Sequence, residues 1–371
     1  MSFNKINHNN IYHNKKLIPS DKKIDKKISL KLYNFAKRLR IVEETLAKEY
    51  HPANQMRCPV HFCIGQEAVP SSLNLLLKKN DSLFSHHRSH GYYLSKKSPL
   101  NGLVSELYGK SSGANGGLAG SQDISFVKNN FFSGAILAGA IGISIGNAFA
   151  QQLDSKRDIT VVGFGESACD VGLFWESINY AFLKKLPILF ICENNNYSVF
   201  SPQKKRQSGN EIFEKVKGFG KYSEKVFGNN ICNLYTKLEK IIKSIKKNSH
   251  PYFLEVITYR FSSHYGPEED IEIGYRTKKE LQFWKTICPI NLLETKLLKE
   301  KIISEKYINN YSKKVELEIN RSISSAKKNK FPKQFNFKSL NSNSKFNYKK
   351  INTINTNVKL SSLSKKKIIG Y

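Results

Sequence analysis

The chain has 371 residues, 40% of them hydrophobic, which is enough for one large domain or two small ones around a sizeable buried core. Its formal net charge of +30 admits two readings: a surface for nucleic acid or acidic lipid, or a composition that fills surface positions with Lys, Asn, Ile and Ser. Lys far outnumbers Arg, the residue suited to reading phosphates and base edges, so nucleic acid is not expected as a partner; no apolar run of about 18 residues occurs, which excludes a helical membrane span.

Residues 1–27 are polar and basic and are expected to lack structure. They lack the apolar core of a secretory signal, and their shortage of Arg argues against an organellar transit peptide. A helix is predicted from Ile28 to Tyr50, because Leu30, Leu32, Phe35, Leu39, Val42 and Leu46 recur at helical intervals. Residues 58–77 read as a loop followed by a helix. Residues 108–133 carry five glycines and little periodicity, which predicts a long functional loop. Small residues dominate 134–153, which fits a tightly packed helix. Residues 158–165 and 187–195 read as buried strands joined by a helix over 174–185, and 251–261 supplies a third strand. Helices follow to about residue 330, and residues 331–371 read as a Lys/Asn/Ser-rich tail without a core. The domain is therefore expected over 28–330. Strand–helix–strand succession implies an α/β fold with a parallel sheet flanked by helices.

The six cysteines, Cys58, Cys63, Cys169, Cys192, Cys232 and Cys288, form no C-x-x-C pair, which suits reduced thiols in a cytoplasmic-type compartment. In open α/β sheets, ligands bind beyond the carboxyl ends of the strands. Glu166 sits at the end of the first predicted strand, and Asn194, Asn195 and Asn196 at the end of the second. The intervening helix returns the chain, so both ends reach one edge of the sheet. A carboxylate, an amide oxygen and a main-chain carbonyl form a hard-oxygen set suited to Mg2+.

The segment GESACDVGLFWESINYAFLKKLPILFICENNNYSVFSP (165–202) resembles the thiamine-diphosphate motif of the alpha subunits of 2-oxoacid dehydrogenases. These are the decarboxylating components of the pyruvate, branched-chain and acetoin dehydrogenase complexes. That family's pattern is Gly-Asp-Gly, somewhat under thirty residues, then Asn-Asn. The resemblance implies the thiamine-diphosphate-binding fold, here with extra helices and polar tails. It also implies thiamine diphosphate and Mg2+ as cofactors, with Glu166, Asn195 and the Tyr197 carbonyl as metal ligands and Gly165 and Ser167 beside the diphosphate. The family's Asp-Gly is Glu166-Ser167 here. The extra methylene moves the carboxylate outward by roughly 1.5 Å, and Ser167 removes a glycine that lets a diphosphate approach closely.

Further segments resemble the same family over roughly residues 30–325. In CPVHFCIGQEAV (58–69), Gln66 and Glu67 are expected either to line a substrate channel or to begin a helix with a favourably placed acid. FSHHRSHGYYLSKK (84–97) implies that His87 and Arg88 reach the diphosphate, with His90 as an orienting or proton-handling group. The histidines at 86, 87 and 90 have no local Cys or Asp to complete a tetrahedral set, so zinc is not expected there. The glycine-rich stretch 106–124 ends in Asp123, where the family commonly has His; an ionised Asp cannot donate to a substrate carboxylate. SGAILAGAIGI (133–143) implies that Ala135 and Leu137 face the aminopyrimidine. TYRFSSHYGPEED (258–270) implies that Arg260 approaches the diphosphate and His264 the reacting carbon, where an imidazole moves protons or stabilises charge.

The resemblance implies oxidative decarboxylation of a 2-oxoacid, pyruvate foremost, with acyl transfer to a lipoyl group on an acyltransferase partner. The chain carries only one cofactor-related domain, so a beta subunit is expected to complete the site in a two-fold heterotetramer. A two-subunit transketolase-like transferase and a degenerate, non-catalytic subunit are the alternatives. The expected location is cytoplasmic, with an organellar matrix second.

Overall fold

The computed structural model describes residues 6–20, 22–53, 56, 58–154, 157–209 and 211–333. Six parallel strands form one sheet in the order β2-β1-β3-β4-β8-β7, where β1 is Ser82–Ser85, β2 Phe131–Ser133, β3 Thr160–Gly165, β4 Ile188–Asn194, β7 Ser223–Phe227 and β8 Tyr252–Ile257. Two dipeptides, β5 (Tyr197–Ser198) and β6 (Ser201–Pro202), pair antiparallel as a small hairpin after β4. The three strands expected from their apolar runs are all present. β1, β2 and β7 were missed: β1 and β2 are too short to show a period, and β7 (SEKVF) is half polar because it lies at the sheet edge.

Both faces of the sheet are covered, so its central strands read as continuous apolar runs. Alternate residues enter different cores. Val161, Leu189, Ile191, Leu254 and Val256 face one layer, and Phe84, Val162, Ile188, Phe190, Cys192 and Phe253 face the other. The long helix Lys26–Ala53 contains the predicted one and turns Leu32, Leu39, Val42 and Leu46 into the first core. Helix Ala68–Leu76 packs on it and on helix Ile231–Asn248, whose buried stripe runs from Ile231 through Leu234, Leu238 and Ile241 to Ile245. Helix Gly172–Lys184 lies on the other face. Helices Lys278–Thr286, Pro289–Lys299 and Glu305–Lys328 complete the unit; Thr277 and Ser304 cap the first and last through their side chains.

Two expectations are corrected. Part of the polar N-terminal segment is ordered on the domain: Ile6 and Ile11 are buried, and His8 lies 5.4 Å from the Trp284 ring and bonds to the Thr258 carbonyl at 2.9 Å. Isolated apolar residues in a basic segment are too few to show a period, but each finds a pocket. The small-residue helix is Gly139–Leu153, and it is not tightly packed on both sides. Only Ile141, Ser144 and Ala148 are buried, while Ile136, Leu137 and Ile143 are exposed. The tail from residue 334 onward lies outside the described residues. No helix among the described residues is long and apolar enough to cross a membrane.

Candidate active site

The chain runs from β1 outward to β2 on one side, then returns to β3 on the other. That reversal makes a topological switch point, and a crevice opens beyond the strand ends there. His86, His87 and Arg88 follow β1, Gly134 and Ala135 follow β2, Glu166 follows β3, Asn195 follows β4, and Arg260 follows β8. A Cβ on Gly165 or Gly134 would meet nothing within 4 Å, so open space lies against both strand ends.

The three expected metal donors come from adjacent strand ends. β3 and β4 pair in register up to Gly165 and Glu193, which brings Glu166 beside the Asn194-Asn195 turn. Glu166 is buried, yet its carboxylate already has a cationic partner: Arg206 donates to it and, through another nitrogen, to Asp170. Gln207 donates to the Glu166 carbonyl at 3.2 Å and to Asp170 at 2.6 Å. Burial pushes the Glu166 carboxyl above its usual range, and the guanidinium opposes that shift. Asn195 accepts from the Tyr197 amide at 3.1 Å and donates to Gln66 at 3.4 Å. Glu67 belongs to the helix-start reading: Arg40 donates to it at 2.6 Å and the Gly65 amide at 3.0 Å.

On the other side of the crevice, His61, His87 and His264 converge from three separate segments. Arg88 is buried and donates to the Phe62 carbonyl and, at 3.1 Å, to the His264 carbonyl. It therefore ties together the backbones that carry two of these rings. Burial, and then the Arg88 charge, hold His264 neutral by lowering its pKa to about 3. His87 is depressed by burial and its charged neighbours in the same sense. His90 is fully buried, with Nδ1 at 2.7 Å from Glu43 and Nε2 at 2.8 Å from the Ser121 hydroxyl. Both ring nitrogens of His90 are therefore engaged within the chain.

Arg260 is likewise buried among acceptors. It donates to the Ser262 carbonyl at 2.8 Å, the Val199 carbonyl at 2.8 Å and the Tyr275 hydroxyl at 2.7 Å, while its Nε finds no partner among the described residues. Val199 has φ +49°, a left-handed conformation that strains a β-branched residue, and the Arg260 bond holds it in the β5–β6 turn. Asp123 accepts from the Ala135 amide at 2.8 Å, fixing the turn that leads to the half-exposed Leu137.

Several residues that shape the site were not singled out from sequence. Glu106 is a buried carboxylate that accepts from the amides of Asn115, Ala119 and Gly117 at 2.7, 2.7 and 3.0 Å, and from Gly120 at 3.3 Å; it is the organising centre of the glycine-rich loop. Glu43 bonds His90 and the Cys63 amide. Glu193 bonds the Tyr92 hydroxyl at 2.6 Å, and burial pushes its carboxyl up to about 7. A charged residue inside an apolar helix or strand pattern was the available signal for all three. For His61 and Arg206 there was none, because their partners lie far away in sequence.

A family model described as dehydrogenase E1 component matches residues 36–334. The pyruvate dehydrogenase E1 component subunit alpha of Porphyra purpurea is 30% identical over 292 residues, covering 76% of this chain and 84% of that protein. The protein of the same name from Rickettsia bellii (strain RML369-C) is 30% identical over 265 residues, 71% and 78% of the two chains. The alpha-3, chloroplastic form from Oryza sativa subsp. japonica is 29% identical over 298 residues, 78% and 69% of the two.

Proposed function

Because the chain belongs to the dehydrogenase E1 component family, as the alpha subunit of a thiamine-diphosphate-dependent 2-oxoacid dehydrogenase, we propose that its substrate is pyruvate and that the acyl group passes to a lipoyl group on an acyltransferase partner. The observation that carries this reading is the crevice at the switch point, where Glu166 and Asn195 end adjacent strands beside open space at Gly165. Bound thiamine diphosphate supplies the nucleophilic carbon and the electron sink that decarboxylation of a 2-oxoacid needs.

The residues present fit that group. The bare strand ends at Gly134 and Gly165 admit a diphosphate, and Glu166, Asn195 and the Tyr197 carbonyl are the hard oxygens that Mg2+ takes. To hold the metal, Glu166 would have to give up its pairing with Arg206. The unpartnered Arg260 Nε and the tip of His87 are the donors offered to the diphosphate, alongside Ser167, with Arg88 securing the loop beneath. Ala135 and Leu137 offer main-chain groups to the aminopyrimidine. His264, held neutral, would offer an imidazole nitrogen for moving protons beside the bound cofactor, and His90 would act through the Ser121 and Glu43 bonds that fix its neighbours. The exposed apolar side chains Ile136, Leu137 and Ile143 support a docking surface for the beta subunit, in a two-fold heterotetramer. Six free thiols suit a reducing compartment, and we place the protein in the cytoplasm on that ground.

A second reading has one observation in its favour. The Glu166–Arg206 pair neutralises the metal carboxylate within the chain, as a non-catalytic subunit would require. Calorimetry of the alpha–beta complex with thiamine diphosphate and Mg2+ tests both. Binding that Glu166→Asp preserves or tightens and Glu166→Ala weakens supports the catalytic reading. Normal binding by Glu166→Ala defeats the assignment of the metal carboxylate, and no binding by the wild-type complex favours the non-catalytic one. The chain alone is expected to show little or no decarboxylation; robust turnover without a beta subunit contradicts the shared-site proposal.

A further inference from the structure

The N-terminal segment reaches the strand ends of the crevice from outside the span matched by the family, which begins at residue 36. Its short helix, His8–His13, starts on Asn7, whose side-chain oxygen accepts from the Asn10 amide at 2.9 Å. That start sets His8 and Ile11, three residues apart, on one face, and both are buried against the domain. Tyr12 meets the Phe283 ring edge-on at 5.1 Å and His8 lies against Trp284, so the segment runs along helix Lys278–Thr286.

The contacts of His8 fall on two strand ends at once. Its Nε2 donates to the Thr258 carbonyl at 2.9 Å, and the Asn194 carbonyl lies within its reach as well. Thr258 follows β8 and precedes Arg260 by two residues; Asn194 closes β4 directly before Asn195. The Thr258 amide donates to the Asn194 carbonyl at 2.9 Å, so the two ends are already joined beneath the ring. Beside His8, Asn7 donates to Glu211 at 3.4 Å, on the stretch whose Gln207 holds the Glu166 carbonyl. The helix under the segment reaches the same turn, because Glu280 accepts from the Tyr197 hydroxyl at 3.0 and 2.9 Å.

We infer that residues 6–13 brace the cofactor crevice from behind its strand ends, with His8 as a positioning residue for Asn195, Tyr197 and Arg260. This rests on the reading of those three as holders of the metal and the diphosphate. Beyond the last ladder bond a strand end has no neighbour to fix it, and its carbonyls need donors from elsewhere. Ile6 and Ile11 account for the docking of the segment, since apolar burial has no direction. The His8 bond does have direction, and it is made to the β8 end and not within its own helix. A ligand amide must be held within about 0.5 Å of its working position, and such holding comes from hydrogen bonds one layer outside the site.

The test uses the full-length chain in the alpha–beta complex, with calorimetry of thiamine diphosphate and Mg2+ beside steady-state turnover. His8→Ala should weaken cofactor affinity about tenfold, as loss of an outer partner of a metal site does, while kcat at saturating cofactor stays within about twofold. His8→Gln, whose amide nitrogen still donates to a carbonyl, should recover most of that affinity. Ile11→Asn, which releases the segment without altering either carbonyl, should reproduce the loss, and Lys16→Ala, at an exposed position, should bind as wild type. A merely structural role would lower Tm and leave affinity, and its rescue by Gln, unmoved. Coupling is reciprocal, so cofactor binding to the wild-type complex should slow hydrogen exchange at the amides of Ile11 and Asn14 by a similar factor, about tenfold, and this needs no variant to fold. The brace is overturned, with the cofactor reading left standing, if His8→Ala binds the cofactor as tightly as wild type or if the cofactor leaves exchange at those amides unchanged. No binding by the wild-type complex overturns the cofactor reading and the brace with it.

Discussion

Glu166, at the end of β3, is held by Arg206, forty residues further along the chain, and Asp170 shares the same guanidinium. The carboxylate is 1% exposed and the arginine 16%, so the pair is enclosed on one side and reachable from the other. A cation approaching the crevice therefore competes with a cation the chain already provides. Arg206→Gln should destabilise the metal-free protein, at or below the low end of the roughly 3–5 kcal/mol lost when a buried pair is broken from one side. The same substitution should enlarge the rise in Tm produced by Mg2+ with thiamine diphosphate in the alpha–beta complex. Equal rises in wild type and variant would show that Arg206 does not compete for Glu166.

Arg88 was expected at the diphosphate, whereas its observed bonds go to the carbonyls of Phe62 and His264. The two roles separate kinetically. Arg88→Lys keeps a charge but loses the planar fork that spans both carbonyls. If the clamp is its main work, kcat of the complex should fall about 10- to 100-fold, as for supporting residues around a site, with cofactor affinity nearly unchanged. A large loss of cofactor affinity with kcat preserved would restore the diphosphate role.

The glycine-rich loop depends on one carboxylate. Glu106→Ala leaves the amides of Asn115, Gly117, Ala119 and Gly120 without their shared acceptor. Hydrogen bonds to a charged group contribute about 1.5–3 kcal/mol each, though not additively, so a loss of at least about 3 kcal/mol in local stability is expected. Hydrogen exchange over residues 109–120 should accelerate strongly, with the sheet unaffected. Unchanged protection of that loop would contradict the assignment.

His8 makes the docking of the N-terminal segment pH-dependent. Burial against Trp284 lowers its pKa to about 4, and its neutral ring donates to the Thr258 carbonyl. A released His8 titrates near 6.5. The released state thus binds more protons between these values. Docking should be fully favourable above pH 6.5 and should weaken as pH falls toward 4. Proteolysis near residues 14–25 should increase over that window in the wild type and be pH-independent in His8→Gln. A wild-type profile as flat as the variant's would contradict this.

How much of this was legible in advance follows from where each signal is stored. Strands β3, β4 and β8 are central and buried on both faces, so their composition alone announces them. The segment from Gly165 to Tyr197 carries strand, turn, helix and strand consecutively, and consecutive elements can be read in order. Glu166 and Asn195 fell beside each other because a right-handed βαβ unit returns its chain to the same sheet edge. β1 and β2, four and three residues long, are too short to carry a periodic signal and were not visible, although they lead to His87, Arg88 and Ala135 at the crevice.

What sequence by itself determined was the α/β architecture, the strand ends that build the crevice, and the kinds of side chain brought there. Pattern and composition are local, and those features depend on local order along the chain. Only the tertiary structure decided that Arg206 takes the Glu166 carboxylate, that Arg88 spends its donors on two distant carbonyls, and that His61, His87 and His264 meet. These contacts span 26 to 176 residues of chain where a bond defines them. Which cation faces which oxygen, or which rings share a cavity, follows from packing across the sheet, and a linear pattern holds no record of it.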